Sequence, residues 1–334
     1  MRRLTARGRD FSAVRHRLPI PHSRNSVRAR GRYNQHSSEA EVRGPLRRHM
    51  HRSSLRRVFR RYVPFWVGRA LRQAYYLPGD LRDALLGHRD PMVPARRHAA
   101  FVGDGDFTRT GRRFLNHFIA LGGLQPDHRV LDVGCGIGRM AVPLTGFLRP
   151  EGGYWGFDPV PEGVAWCQQH ITPRYPNFQF YVSDVWSKSY NRAGKVQARD
   201  YVFPHAAGFF DFVFAISVFT HMVPADVENY LTNIARVLKP GGICLATYFL
   251  LNDSTRKSGA ARDFRYPVDT SSVGHAVSRV EFEKAVAFDE TYIRGVYEKR
   301  GLAIKEPVLY GRWATVKGGP AFQDIVVARK ETIS

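Results

Sequence analysis

The segment Val130-Leu131-Asp132-Val133-Gly134-Cys135-Gly136-Ile137-Gly138-Arg139 constrains this chain more than any other. A short apolar run ends in glycines at every second position and leads into a helical pattern. That order is a strand, a tight turn and a helix N-terminus, the place where an α/β sheet binds a nucleotide-like ligand. The glycines permit positive φ and bring backbone nearer to a ligand than side chains would allow. A dinucleotide fingerprint needs a small third residue three positions after its second glycine, and Arg139 stands there instead. The spacing is Asp132-x-Gly134-x-Gly136-x-Gly138, with a carboxylate inside the strand end.

Around this segment strands and helices alternate. A helix begins at Asp106 and stops at Gly122-Gly123, and strands are expected at 129–133, 154–158, 178–182, 210–216 and 243–249. Helices fill roughly 139–148, 162–171 and 224–238, with Pro224 suited to a first helical turn. Asp289 caps a last helix ending near Gly301, and two strands at about 302–308 and 322–329 follow without a helix between them. The expectation is a doubly wound, seven-stranded, mostly parallel α/β sheet closed by an antiparallel hairpin. Residues 186–208 are too long for a plain connector and form a candidate functional loop. Residues 250–288 form a second variable region.

Asp158 ends the second strand, 20 residues beyond Gly138. A carboxylate there in a nucleotide site accepts a cis-diol with two parallel oxygens; the plainer alternative is a cap for the helix at Glu162. Asp132 must find hydrogen bonds if it is buried, and the glycine turn offers N–H groups. His221 follows the fourth strand, at the carboxyl edge where a general base would be needed, and it fits equally a loop-shaping role. Arg139 reads as a surface or loop residue. No carboxylate and amide cluster suggests a metal, so none is expected.

Together with Lys239-Pro240-Gly241-Gly242, these motifs resemble the class I S-adenosylmethionine-dependent methyltransferases over about residues 106–329. The resemblance implies a Rossmann-like fold and S-adenosyl-L-methionine as cofactor. It places Gly134, Cys135, Gly136 and Gly138 beneath the methionine and ribose, with Asp132 acting at second hand. It puts Asp158 on the ribose hydroxyls, Asp184 and the Val185 amide on adenine, and a backbone carbonyl near Ser217 on the methionine amine. Tyr248, Asn252 and Asp253 follow the fifth strand and are candidates for acceptor contact. Ile216-Ser217-Val218-Phe219 lacks the Asn/Asp-Pro-Pro-aromatic motif of base amino-methylation, and the turns around strands four and five resemble small-molecule enzymes, which implies a small or lipid-like acceptor methylated at oxygen or, second to it, at nitrogen or carbon.

Composition enters through charge. The formal charge is +22, but residues 1–100 carry 24 arginines against 6 acidic residues, while 101–334 carry 27 basic against 23 acidic. The basic character therefore belongs to the amino-terminal part. Residues 1–49 cannot bury enough apolar area to order themselves, and a helical segment and linker at 50–105 precede the domain at 106–334. Three readings of 1–49 stand open: a transit-peptide-like leader, a basic tail that holds RNA phosphates, or a stretch upstream of a true start at Met50. The RNA tail carries the alternative function, an RNA methyltransferase. Residues 54–77 are basic and amphipathic, suited to pack as a lid or to lie on an anionic membrane. Three cysteines with no paired spacing, and no long apolar run, point to a cytoplasmic enzyme.

Overall fold

The computed structural model describes residues 74, 76–82, 90–96, 106–314 and 319–332. The expectations for 1–49, and for 54–77 apart from residues 74, 76 and 77, lie outside them. Residues 76–82 are helical, where the proline and glycine at 78 and 79 suggest a linker.

Five strands run parallel: β1 (Arg129–Val133), β2 (Gly153–Asp158), β3 (Phe178–Val182), β4 (Phe210–Ala215) and β5 (Leu238–Tyr248). They are crossed by α1 (Phe107–Ala120), α2 (Ala141–Thr145), α3 (Pro161–His170) and α4 (Pro224–Val237). After β5 come β6 (Leu250–Leu251), α5 (Asp253–Lys257), β7 (Tyr266–Pro267), β8 (Gly274–Ala276), β9 (Val286–Asp289) and α6 (Glu290–Glu298). The chain then adds β10 (Leu302–Ile304) and β11 (Asp324–Lys330).

The main sheet has the order β10-β11-β5-β4-β1-β2-β3. The antiparallel ending is as expected: β11 runs antiparallel to both β10 and β5. Both faces are covered, so the strands alternate between two cores rather than between core and solvent. Leu131, Val133, Val213 and Ala215 pack with Val227, Tyr230 and Ile234 of α4 and with Ile293 and Tyr297 of α6. Val130, Phe212 and Phe214 face Phe114 and Phe118 of α1 and Val164 and Cys167 of α3. Phe118 stacks on Phe214 with ring centres 4.4 Å apart.

Three local readings need correction. Lys239-Pro240-Gly241-Gly242 is drawn into β5, which starts at Leu238 with a register shift opposite Phe210 and Phe212. Asp289 stands at the cap position of α6, yet its carboxylate gives the helix no cap bond and pairs with Arg256 at 3.1 Å. The region 250–288 holds a second sheet in the order β6-β9-β8-β7, whose strands of two to four residues are too short to show a period of two.

Because β1 to β5 are parallel, their carboxyl ends share one edge. On it lie the glycine turn after β1, Asp158, the Ser183-Asp184 step, the Ser217–His221 segment and the start of the second sheet. β1 is the switch point, with β2 and β3 to one side and β4 and β5 to the other. A crevice for a ligand opens at such a place.

Candidate functional site

The turn has the backbone that its glycines foretell. Gly134, Gly136 and Gly138 have φ of 85°, 56° and 81°, a region that costs other residues about 1–2 kcal/mol. A Cβ on Gly134 would stand 2.5 Å from Val218 Cγ2, so the loop after β4 rests directly on the turn. The Gly134 and Cys135 amides donate to the Phe157 carbonyl at 2.9 and 3.0 Å, pinning the turn to β2. Burial pushes the Cys135 thiol well up, aided by Cys167, Asp158 and Asp132, so it is a packed neutral side chain.

Asp158 is the hinge of this half. One carboxylate oxygen receives the Gly136 amide at 2.8 Å and the other the Val160 amide at 2.9 Å. The residue therefore serves the turn and the start of α3 at once. Each oxygen has two lone pairs, so one on each is left for a ligand. Burial raises its pKa to about 6, against the lowering effect of the Val160 and Gly136 amides.

Asp132 finds its partner elsewhere than the turn. It receives the Tyr154 hydroxyl at 2.6 Å, in a pocket so dry that its pKa rises to about 8. That pair sits under the turn and supports it. Arg139 is half-buried, its guanidinium 5.8 Å from the centre of the Phe107 ring.

At the end of β3, Asp184 is exposed and Val185 is buried. The Asp184 carbonyl and Oδ1 both accept the Lys195 amide, which folds the 186–208 loop back. Gly194 makes that possible, since a Cβ there would meet the Val185 carbonyl oxygen at 2.3 Å. Ser183 is 1% exposed and its hydroxyl has no hydrogen-bond partner among the described residues. A buried hydroxyl left so is costly unless a ligand or water completes it.

After β4, Ser217 has a φ of 60°, strained for a residue with a side chain. Its amide donates to Thr247 Oγ1 at 2.7 Å and its hydroxyl receives Gln323 Nε2 at 3.0 Å. Thr247 in turn donates to Gln323 Oε1 at 2.7 Å. Gln323 was not legible from sequence, because it stands 106 residues from Ser217 and nothing near it marks it.

His221 sits in the same loop. Its Nδ1 lies 2.7 Å from the Glu283 carbonyl oxygen, which can only accept, so Nδ1 carries the proton. The lone pair is then on Nε2, which has no partner among the described residues. Burial lowers the pKa of His221, while the Glu283 carbonyl and charge act the other way. The ring is thus a neutral proton acceptor at pH 7. Tyr190, from the 186–208 loop, stands edge-on to it with ring centres 5.7 Å apart. Burial, then the charges of Glu283 and Asp158, push the Tyr190 phenol up to about 12.

The acceptor candidates after β5 do not join this constellation. Tyr248 is fully buried, stacked on Phe219 with ring centres 5.2 Å apart and hydrogen-bonded to Tyr297 at 3.0 Å; it is a core residue. Asn252 caps α5 by accepting the Thr255 amide at 2.9 Å and donates to Glu290 at 2.8 Å. A polar residue after a strand serves a cap or core bond as readily as a ligand. Asp253 is exposed in the first turn of α5. Among the described residues no group of three or more His, Cys, Asp or Glu is arranged to hold a metal, and no helix is long and apolar enough to cross a membrane.

With this geometry in hand, comparison with known proteins is informative. A family model described as a methyltransferase domain matches residues 106–304. An O-methyltransferase, rstn1, of Aspergillus nomiae is 33% identical over 127 residues, which are 36% of this chain and 47% of that protein. A fatty-acid O-methyltransferase of Mycolicibacterium smegmatis is 32% identical over 126 residues, 38% of this chain and 37% of that protein. The chain thus spans less than half the length of these relatives. Among solved structures, a magnesium protoporphyrin IX methyltransferase from Synechocystis with SAH bound is 17% identical, with a TM-score of 0.43 over 71% of this chain and 92% of that one. The CurJ carbon methyltransferase is 15% identical, with a TM-score of 0.48 over 85% of this chain and 71% of that one.

Proposed function

The chain belongs to the methyltransferase-domain family; we propose that it takes a methyl group from S-adenosylmethionine and transfers it to an oxygen of a small or lipid-like acceptor. The observation that carries the proposal is the neutral His221, held by Glu283 with its lone pair on Nε2.

The residues at the carboxyl edge suit the cofactor's chemistry. Asp158 keeps a free lone pair on each oxygen for the ribose hydroxyls, and the orphaned Ser183 hydroxyl lies one residue from Asp184, which takes the adenine amino group beside the Val185 amide. The glycine turn of Gly134, Cys135, Gly136 and Gly138 forms the floor, and the Ser217 segment offers backbone to the methionine amine. When bound, the cofactor would supply an electrophilic methyl on a sulfonium, with a neutral thioether as leaving group. His221 Nε2 receives the proton of the acceptor hydroxyl, a contribution typically worth 10²–10⁴-fold. Tyr190 stands beside His221 on the acceptor side. Asp132 acts only through Tyr154 and the turn above it.

The experiment is transfer of labelled methyl from S-adenosylmethionine into host extract by the full chain, with products split into small-molecule, lipid, RNA and protein fractions. Label in a hydroxyl-derived methyl ether of the first two fractions is the expected result; a methyl ester would move the acceptor to a carboxylate, which needs no base. Label confined to RNA would replace this reading with one in which the arginines of 1–49 hold phosphates.

A further inference from the structure

Three stretches far apart in sequence meet at one residue, two of them through different parts of it. Glu283, in the short turn Phe282–Lys284, is 8% exposed. Its carboxylate receives the Ser187 hydroxyl at 3.1 Å, the Lys188 amide at 3.0 Å and the Ser189 amide at 2.7 Å. Its backbone carbonyl receives His221 Nδ1 at 2.7 Å.

The three donors to the carboxylate belong to a single closed turn. Ser187 and Asn191 exchange backbone bonds of 2.8 and 3.1 Å, and Ser187 Oγ accepts the Tyr190 amide at 3.0 Å. Tyr190 is therefore presented by a turn with little freedom, and its ring meets His221 edge-on. A carboxylate suits this place because all three partners are donors and both of its oxygens accept; an amide offers one accepting oxygen only. Charge-assisted bonds to amides are also about twice as strong as neutral ones.

We propose that Glu283 is the positioning residue of the acceptor site. It holds the loop at 187–191 and the tautomer of His221 together, so that Tyr190 and the proton acceptor are assembled as one unit. Glu283 touches neither cofactor nor acceptor; it acts through Tyr190 and His221. The inference rests on the reading of His221 as the base, yet it makes separate demands on the protein.

The test uses the full chain labelled with nitrogen-15. Ring nitrogen signals of His221, identified by their loss in His221→Gln, report its tautomer. Amide exchange at Lys188 and Ser189 reports the grip on the loop. Titration with S-adenosylhomocysteine reports that a variant is folded. The wild type is expected to carry Nδ1–H and unprotonated Nε2 at neutral pH, with both amides protected. In Glu283→Gln, amide exchange should quicken at least about tenfold, with S-adenosylhomocysteine still bound and His221 still Nδ1–H, because the backbone carbonyl that fixes the tautomer is kept. Glu283→Asp, whose carboxylate retains both accepting oxygens, should recover part of the protection. An Nε2–H tautomer or unprotected amides in the wild type would overturn the proposal without any variant. So would a folded Glu283→Ala with amide exchange at Lys188 and Ser189 unchanged. Full methyl transfer by His221→Gln overturns the base reading instead, so the two failures are told apart.

Discussion

Asp158 and Glu283 are both buried carboxylates at the carboxyl edge of the sheet, and they put burial to opposite uses. Asp158 spends one lone pair of each oxygen on a backbone amide and keeps the rest for a ligand. Glu283 receives three donors from a neighbouring loop and joins protein to protein. The first arrangement is local: its partners at Gly136 and Val160 lie on adjoining strands and turns. The second closes over 95 residues between Lys188 and Glu283. On the proposed function, the cofactor half is thus built into the sheet itself, whereas the acceptor half is assembled from loops laid over it. Folds of this kind vary substrate by varying such loops while the ligand floor stays.

The comparison is sharpened most by His221→Gln, which should lower methyl transfer about 10²–10⁴-fold with little change in S-adenosylhomocysteine affinity. A carboxylate acceptor is already ionised and needs no base. A small effect on a methyl-ester product would therefore move the acceptor from hydroxyl to carboxyl, and a small effect on an ether product would remove the base. Next is Asp158→Ala, expected to weaken S-adenosylhomocysteine by about 2–3 kcal/mol through lost charged hydrogen bonds, read by calorimetry. Gly134→Ala should destabilise the domain by about 2–3 kcal/mol, from positive φ and contact with Val218, visible as a lowered Tm. Asn252→Ala should cost about 1 kcal/mol of stability through the lost helix cap and leave the KM for the acceptor unchanged.

A further effect concerns pH. Asp132 has a folded pKa near 8, raised by burial above its unfolded value, so the folded protein holds its proton more tightly. Its contribution to stability is fully present below about pH 4 and is lost as pH rises through 8. Asp132→Asn keeps an acceptor for Tyr154 and cannot ionise. The stability of this variant relative to the wild type should grow from pH 5 to pH 9, measured by urea unfolding. An unchanging difference would show that Asp132 ionises freely in the fold.

What could be read from the chain follows the same division. The glycine turn, Asp158 and the order of strands rest on local signals: a period of apolar residues, turn chemistry and short connections. Pro224 at the start of α4 is another such signal, and it stands where expected. His221 was legible as a position, because the loop after the fourth strand lies at the carboxyl edge, but not as a tautomer, which is set by a carbonyl 62 residues away. Glu283 and Gln323 carried no local mark at all. Tyr248 and Asn252 show the converse, since their polar groups follow a strand yet are consumed by Tyr297, Thr255 and Glu290. The helical reading of 54–77 lies almost wholly outside the described residues.

Calorimetric titration of S-adenosylhomocysteine into the wild type, Asp158→Ala and Glu283→Gln tests the division between the two halves most directly. The account predicts affinity about 30–150-fold weaker for Asp158→Ala, the equivalent of 2–3 kcal/mol, and within about twofold of wild type for Glu283→Gln. Equal losses in both variants, or wild-type affinity in Asp158→Ala, would contradict it.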